Sequence, residues 1–248
     1  MRKHGEFSTG DGFNSLKTLE NEDMIPYKKS EHNPYIEAFW KWWPELYKSM
    51  DTFRITGGEP LLSKDTFKVL EYIRDNPEIN PNISLSINTN LGVPDKLVDR
   101  FIEKVQKICE EDRVKEFVIF TSVDSWGAQA EYIRNGLEFN RFWDNCHKVL
   151  EKCPKVILTY MVTYNALSVP NYDKLIRGVY DLKTQYGSDD RYWNSATFLD
   201  TSYLRHPKHQ TVQVLEPHWA DKIYADAQLV DFLGVPLFEK EYIGYSDV

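Results

Sequence analysis

The chain has 248 residues, 42% hydrophobic and 27% charged, proportions that suit a globular protein with a buried core and not a disordered or fibrous one. Its formal net charge of −8 argues against a sequence-independent grip on phosphate backbones, so no nucleic-acid partner is expected. No apolar run approaches the roughly 20 residues that span a bilayer, and Met1-Arg2-Lys3-His4-Gly5-Glu6 lacks the apolar stretch of a signal peptide. With three cysteines and no export signal, a reduced, cytoplasmic setting without a membrane partner is the expectation.

Residues 1–32 carry no sustained period and read as an irregular segment. A helix is expected next, with Asn33 as N-cap and Pro34 at its first position. Ile36, Phe39, Trp40, Trp43, Leu46, Tyr47 and Met50 form its apolar stripe, and Pro44 should kink or restart it. The 7 Trp, 15 Tyr and 13 Phe are an unusual load, and many fall on helical stripes of this kind. That placement favours core packing over a sugar or nucleobase platform.

Strand and helix patterns then alternate. The first strand covers 52–56 and runs into Gly57-Gly58, followed by a helix from about Asp65 that Asn76-Pro77 stops. In the second strand Ile83, Leu85 and Ile87 alternate with Ser84, Ser86 and Asn88, and the helix after it opens at Pro94. Residues 117–120 are a continuous apolar strand, the pattern of a strand covered on both faces. A helix bearing Phe139, Phe142, Trp143, Cys146, Val149 and Leu150 follows, then a strand over 156–162 and a helix over 170–182. Residues 187–210 read as a polar excursion holding a short strand near 197–199. The last strand is placed at 211–215, and a helix over 219–233 ends at Gly234. Five successive βα units imply a parallel sheet with helical crossovers and chemistry at the carboxyl ends of the strands.

At the first such end stands Thr56-Gly57-Gly58-Glu59-Pro60-Leu61-Leu62. Two glycines let a backbone approach a ligand without Cβ clashes, and Glu59 with the exposed carbonyls can accept hydrogen bonds from an ammonium group. A simple strand-to-helix turn is the plainer account of the same tripeptide. Phe53-Arg54-Ile55-Thr56-Gly57-Gly58-Glu59-Pro60-Leu61-Leu62 resembles the strand and GGE motif of the radical S-adenosylmethionine (SAM) superfamily. The resemblance continues through Asn88-Thr89-Asn90-Leu91-Gly92, Ser122-Val123-Asp124-Ser125, Tyr132-Ile133-Arg134-Asn135-Gly136 and 163–170. It covers about residues 52–179 and is greatest to members with a C-terminal SPASM or twitch extension.

The resemblance implies a partial parallel βα barrel, six-stranded in the family, with the first strand missing. It implies a barrel core over 52–234, between an N-terminal segment over 1–51 and a tail over 235–248. It implies that Gly57, Gly58 and Glu59 hold the amino end of SAM, with Asn90 at the next strand end. Ser122 and Arg134 would face the SAM carboxylate, Asp124 the ribose, and Asn165 the ribose or adenine. Each residue also has a local alternative: Ser122 could cap a loop, Asp124 occupy a turn, and Arg134 pair with Glu131 or Glu138.

In an intact relative a [4Fe–4S] cluster, fed by an electron donor, reduces SAM, and the 5′-deoxyadenosyl radical takes a hydrogen atom from a small-molecule or peptide substrate. The family's CxxxCxxC motif is absent from this sequence. Cys109 and Cys146 sit on apolar helix stripes, Cys153 precedes Pro154, and no metal site is expected from them. Because residues 1–7 also resemble the polypeptide just after the family's cluster loop, the cluster is expected only in a longer product. Two rivals stand beside this reading: a cluster-free SAM-binding or partner-binding module, and a carbohydrate-active hydrolase using Glu59, Asp124 and Glu216.

Overall fold

The computed structural model describes residues 32–187 and 196–235. The expected irregular segment, save its last residue, and the tail beyond 235 lie outside the described residues. The chain divides into two compact units, 1–47 and 48–248. Helix α1, Pro34–Ser49, falls almost wholly in the first. Asn33 Oδ1 accepts from the Tyr35 N–H at 3.0 Å, the cap expected where four amides lack helical partners. Pro44 neither breaks nor restarts α1. Tilted ring pairs bridge the turn it weakens, Phe39 to Trp43 at 5.3 Å and Trp43 to Tyr47 at 6.0 Å.

The second unit is α/β with a five-stranded, all-parallel sheet. Strand β1 is Thr52–Ile55, β2 Ser84–Asn88, β3 Glu116–Ser122, β4 Val156–Tyr164 and β5 Thr197–Tyr203, hydrogen-bonded in chain order. The helices between them are α2 Lys64–Asp75, α3 Asp95–Glu110, the short α4 Ala128–Ile133, α5 Phe139–Lys152 and α6 Tyr172–Tyr186. After β5 comes α7, Trp219–Leu233, which Gly234 ends in the left-handed region at φ 57°. Local signals place the boundaries. Ser63 Oγ accepts from the Asp65 N–H at 3.2 Å to open α2, and Asn76 closes it before Pro77.

Two expectations fail near the end of the sheet. The fifth strand is Thr197–Tyr203, longer than the short strand expected there, and 212–214 is a 3₁₀ turn instead of a strand. Although Thr-Val-Gln-Val-Leu alternates, the edge of β4 is already paired with β5 over seven positions. Val214 is left 54% exposed, so no burial rewards an extended conformation there.

Sequential strand order sends every crossover the same way, which puts the helices on one face. Helices α2, α3, α5, α6 and α7 accordingly pack side by side in that order. The strand residues facing them include Leu85, Ile87, Phe117, Ile119, Leu158, Tyr160 and Leu199, all buried. On the opposite face Val118, Phe120, Ile157 and Phe198 form a smaller apolar cluster with Met161 against it. This second face has no helix of its own among the described residues.

The helical layer is sealed by aromatic packing. Trp126 lies 4.7 Å from Trp143 and 4.8 Å from Phe139, and Phe139 stacks on Trp143 at 5.8 Å. Gly178 of α6 makes room for them. A Cβ there would stand 2.7 Å from Cη2 of Trp126 and 3.0 Å from Cζ2 of Trp143. Alanine normally favours a helix interior by about 1 kcal/mol over glycine, but overpacking costs about 1–3 kcal/mol. Gly178→Ala is therefore expected to lower the urea midpoint. An unchanged or raised midpoint would show that the Trp126 ring can move aside.

Candidate functional site

The loop after β1 turns on two glycines with positive φ, 91° at Gly57 and 56° at Gly58. A Cβ at either would meet nothing within 4 Å, so backbone conformation, not crowding, calls for glycine. Both residues are exposed. Glu59 follows and caps the 3₁₀ turn Pro60–Leu62. Its Oε1 accepts from the Leu61 N–H at 3.1 Å and from the Thr89 hydroxyl at 2.6 Å. Its Oε2 accepts from the Asn90 N–H at 2.8 Å. One carboxylate thus ties the β1 loop to the β2 loop.

The β2 loop is held in turn by its own polar groups. Thr89 Oγ1 accepts from the Leu91 N–H at 3.2 Å, and Asn90 Oδ1 accepts from the Gly92 N–H at 2.8 Å. Leu91 is fully buried yet left-handed at φ 49°, a conformation that costs a branched residue about 1–3 kcal/mol. Its carbonyl accepts from Asn145 Nδ2 of α5 at 2.8 Å, which helps fix the strained turn.

At the third strand end Ser122 closes β3 beside Met161 of β4. Asp124, 4% exposed, accepts from the Thr163 N–H through Oδ1 at 2.7 Å and joins the β3 loop to β4. Arg134 leaves α4 and turns back onto it: Nη2 donates to Oδ1 at 3.2 Å, and Nε lies 2.7 Å from Oδ2. Its partner is therefore Asp124 and neither Glu131 nor Glu138. Glu131 instead accepts from the Phe139 N–H at 2.8 Å, at the start of α5. Asn165 is committed to its own loop, with Nδ2 donating to the Thr163 carbonyl at 2.7 Å and Oδ1 accepting from the Leu167 N–H at 2.9 Å. The eight residues singled out in the sequence thus share the carboxyl edge of the sheet, in loops linked pairwise by two carboxylates.

Three participants escaped the sequence reading. Thr89 is the hydroxyl partner of Glu59. Arg54 and Asn88 lie on the sheet face opposite the helices, where Arg54 Nε donates to Asn88 Oδ1 at 2.9 Å and its guanidinium stands 4.3 Å over the Phe120 ring. Strand alternation held the signal for these two, since Arg54 sits between inward Phe53 and Ile55.

A metal centre finds no support among the described residues, which contain no group of three or more His, Cys, Asp or Glu placed to hold an ion. The cysteines are buried, Cys109 on α3, Cys146 on α5 and Cys153 at the C-terminal cap of α5. His218 pairs with Glu216 at 3.3 Å on the exposed surface. No helix among the described residues is long and apolar enough to cross a membrane.

Burial pushes the Cys146 thiol up to about 12, tempered by the neighbouring Tyr160 hydroxyl. The thiolate is the reactive form, so Cys146 is expected to resist iodoacetamide at pH 8 until the chain unfolds. Since the folded value exceeds the ordinary ~8.5 of an unfolded thiol, its contribution to stability is complete below about pH 8.5 and is lost as pH rises toward 12. Alkylation of native protein at the rate of a free thiol would contradict this burial.

Glu59 carries a second expectation. Glu59→Ala should cost about 1–3 kcal/mol of stability without any ligand, because it leaves the buried Thr89 hydroxyl without its acceptor and removes the tie to the Asn90 amide. Urea unfolding of the variant reads this directly; an unchanged midpoint would mean that the two loops hold their positions without it. No protein-family model matches the chain, and no curated protein matches it.

Proposed function

We propose that residues 52–234 form a partial parallel βα barrel of the radical SAM type, and that this chain binds SAM at the carboxyl edge of its sheet. The observation that carries the reading is the Gly57-Gly58-Glu59 turn at the end of β1, both glycines left-handed and exposed and Glu59 anchored to the next loop. Sequential strand order with helices on one face suits a barrel wall better than an open doubly wound sheet, which reverses order at a crevice.

The residue types at this edge fit SAM. Carbonyls of the Gly57-Gly58 turn accept from its ammonium group, alongside the remaining lone pair of Glu59. Arg134, a third exposed on its side chain, presents donors to the SAM carboxylate, with Ser122 beside it at the end of β3. Asp124 serves best as the positioning residue of Arg134 and not as a ribose contact, since both of its oxygens are engaged. Asn90 and Asn165 shape the loops on either side.

The [4Fe–4S] cluster does not fit the cysteines of this chain, which are buried, lack the CxxxCxxC spacing and form no group placed to hold an ion. The reading for this chain is therefore the cluster-free SAM-binding module. Radical chemistry, an electron donor and a small-molecule or peptide substrate belong to an intact relative. The hydrolase reading loses its pair: Glu59 and Asp124 are bound up in the loops, and Glu216 is exposed beside His218.

Calorimetry with SAM tests the proposal. Arg134→Ala should weaken binding about ten- to a hundred-fold, the equivalent of one charge-assisted contact of about 1.5–3 kcal/mol. Lys174→Ala, on the exposed face of α6, should leave it unchanged. Failure to bind SAM at millimolar concentration, or equal affinity in folded Arg134→Ala, would defeat the assignment. After anaerobic reconstitution, dithionite and SAM should yield no 5′-deoxyadenosine above a protein-free control; turnover would refute the cysteine argument.

A further inference from the structure

A cavity of about 480 Å³ lies between the carboxyl ends of β4 and β5 and the helices α6 and α7. Tyr164, Tyr172 and Tyr203 form one wall. Their rings meet edge to face, Tyr164 with Tyr172 at 4.7 Å and 60°, and Tyr164 with Tyr203 at 5.9 Å and 90°. Ile223, Ala227 and Val230 of α7 make the opposite wall, with Asp226 and Asp231 among them. This is a largely apolar box with carboxylates from α7 and, through Asp200, from β5.

The charges there do not cancel. Asp226, 3% exposed, accepts from Lys222 Nζ through Oδ1 at 2.5 Å, and Lys222 also donates to Asp173 at 2.8 Å. Asp173 and Asp226 thus share one ammonium, Asp200 and Asp231 line the cavity beside Asp226, and no Lys or Arg lines it. Asp226 Oδ2 is buried without a hydrogen bond, as is the Tyr164 hydroxyl. The two groups stand near one another, and the Asp226 carboxylate, after burial as the first cause, raises the Tyr164 pKa. A buried acceptor left open faces a cavity of net negative lining.

We propose that this cavity binds an organic ammonium ion, its cationic head against the tyrosine rings and Asp226 and its apolar substituents against α7. Ring faces attract cations, most strongly when water is excluded, and the apolar wall of Ile223, Ala227 and Val230 suits a substituted amine better than a hydrated inorganic ion. No group of three metal-ligating side chains occurs here among the described residues. The inference is independent of the SAM reading, because the cavity is on the helix-covered face of the sheet.

The 248-residue chain is titrated calorimetrically with choline and with its neutral isostere 3,3-dimethylbutan-1-ol. Choline should bind saturably and at least about tenfold more tightly, the equivalent of one cation–π contact or more. Tyr203, 67% exposed, can be changed with little risk to the fold. Tyr203→Ala should weaken choline about tenfold, while Tyr203→Phe, which keeps the ring, should stay within about twofold of the parent. Absence of saturable choline binding, equal binding of the isostere, or an unaltered affinity in Tyr203→Ala would each overturn the proposal.

Discussion

Two carboxylates, Glu59 and Asp124, hold the edge on which the candidate site depends. Past the strand ends the ladder thins to single backbone bonds, such as the Thr89 N–H to the Phe120 carbonyl and the Val123 N–H to the Met161 carbonyl, so side chains carry much of what fixes one loop against the next. Glu59 joins the first loop to the second through the Thr89 hydroxyl and Asn90 amide, and Asp124 joins the β3 loop to β4 through the Thr163 amide. Backbone amides at loop ends are donors in search of acceptors, and a carboxylate can serve several at once. Order at this edge follows from that match, and so does the tolerance of a buried left-handed Leu91 between the two.

The same sheet explains why there are two unlike chemical surfaces. Crossovers running one way cover one face, and the side chains there are large and apolar, from Leu85 to Leu199. The other face keeps Arg54, Ser86 and Asn88 beside a small cluster around Phe120. Arg54 lies flat on that ring with Asn88 fixing its Nε, a placement that holds a guanidinium without an ion pair to any described carboxylate. Helix α7 covers the end of the helical face loosely, with Tyr224 and Phe232 pointing to solvent, and the tyrosine-lined cavity remains beneath it.

Periodicity made the strands and helices legible wherever burial enforced it. Alternation in β2 and the apolar run of β3 predicted strands correctly because each has a covered face. The Ser63 and Asn33 caps were visible as residue types before apolar stripes. The pattern failed at 211–215, where alternation was intact but the place beside β4 was already taken by 197–203 and Val214 stayed exposed. It failed also for Thr89, since a threonine inside a resembling loop does not announce that its hydroxyl closes a bond to a carboxylate 30 residues earlier. Such pairings come from topology, which brings β1 and β2 together in register.

The site residues raise a question of competing demands. Glu59 and Asp124 were read as ligand contacts, and both are engaged within the chain. Engagement does not exhaust them equally. A carboxylate offers about four acceptor positions, and Glu59 uses three, one of them toward the Thr89 hydroxyl. Its free position lies in the half-buried loop that carries the two exposed glycines. Asp124 is nearly fully buried, and its two oxygens already serve Thr163 and Arg134. Arg134 keeps donors to spare, because a guanidinium has five N–H bonds and Asp124 faces two of its nitrogens. A ligand anion at this edge would therefore meet a guanidinium already oriented and half-neutralised, which lowers the ordering cost of binding while leaving the net attraction modest. Preorganisation of Arg134 by Asp124, more than bare charge, is what this edge offers an incoming carboxylate.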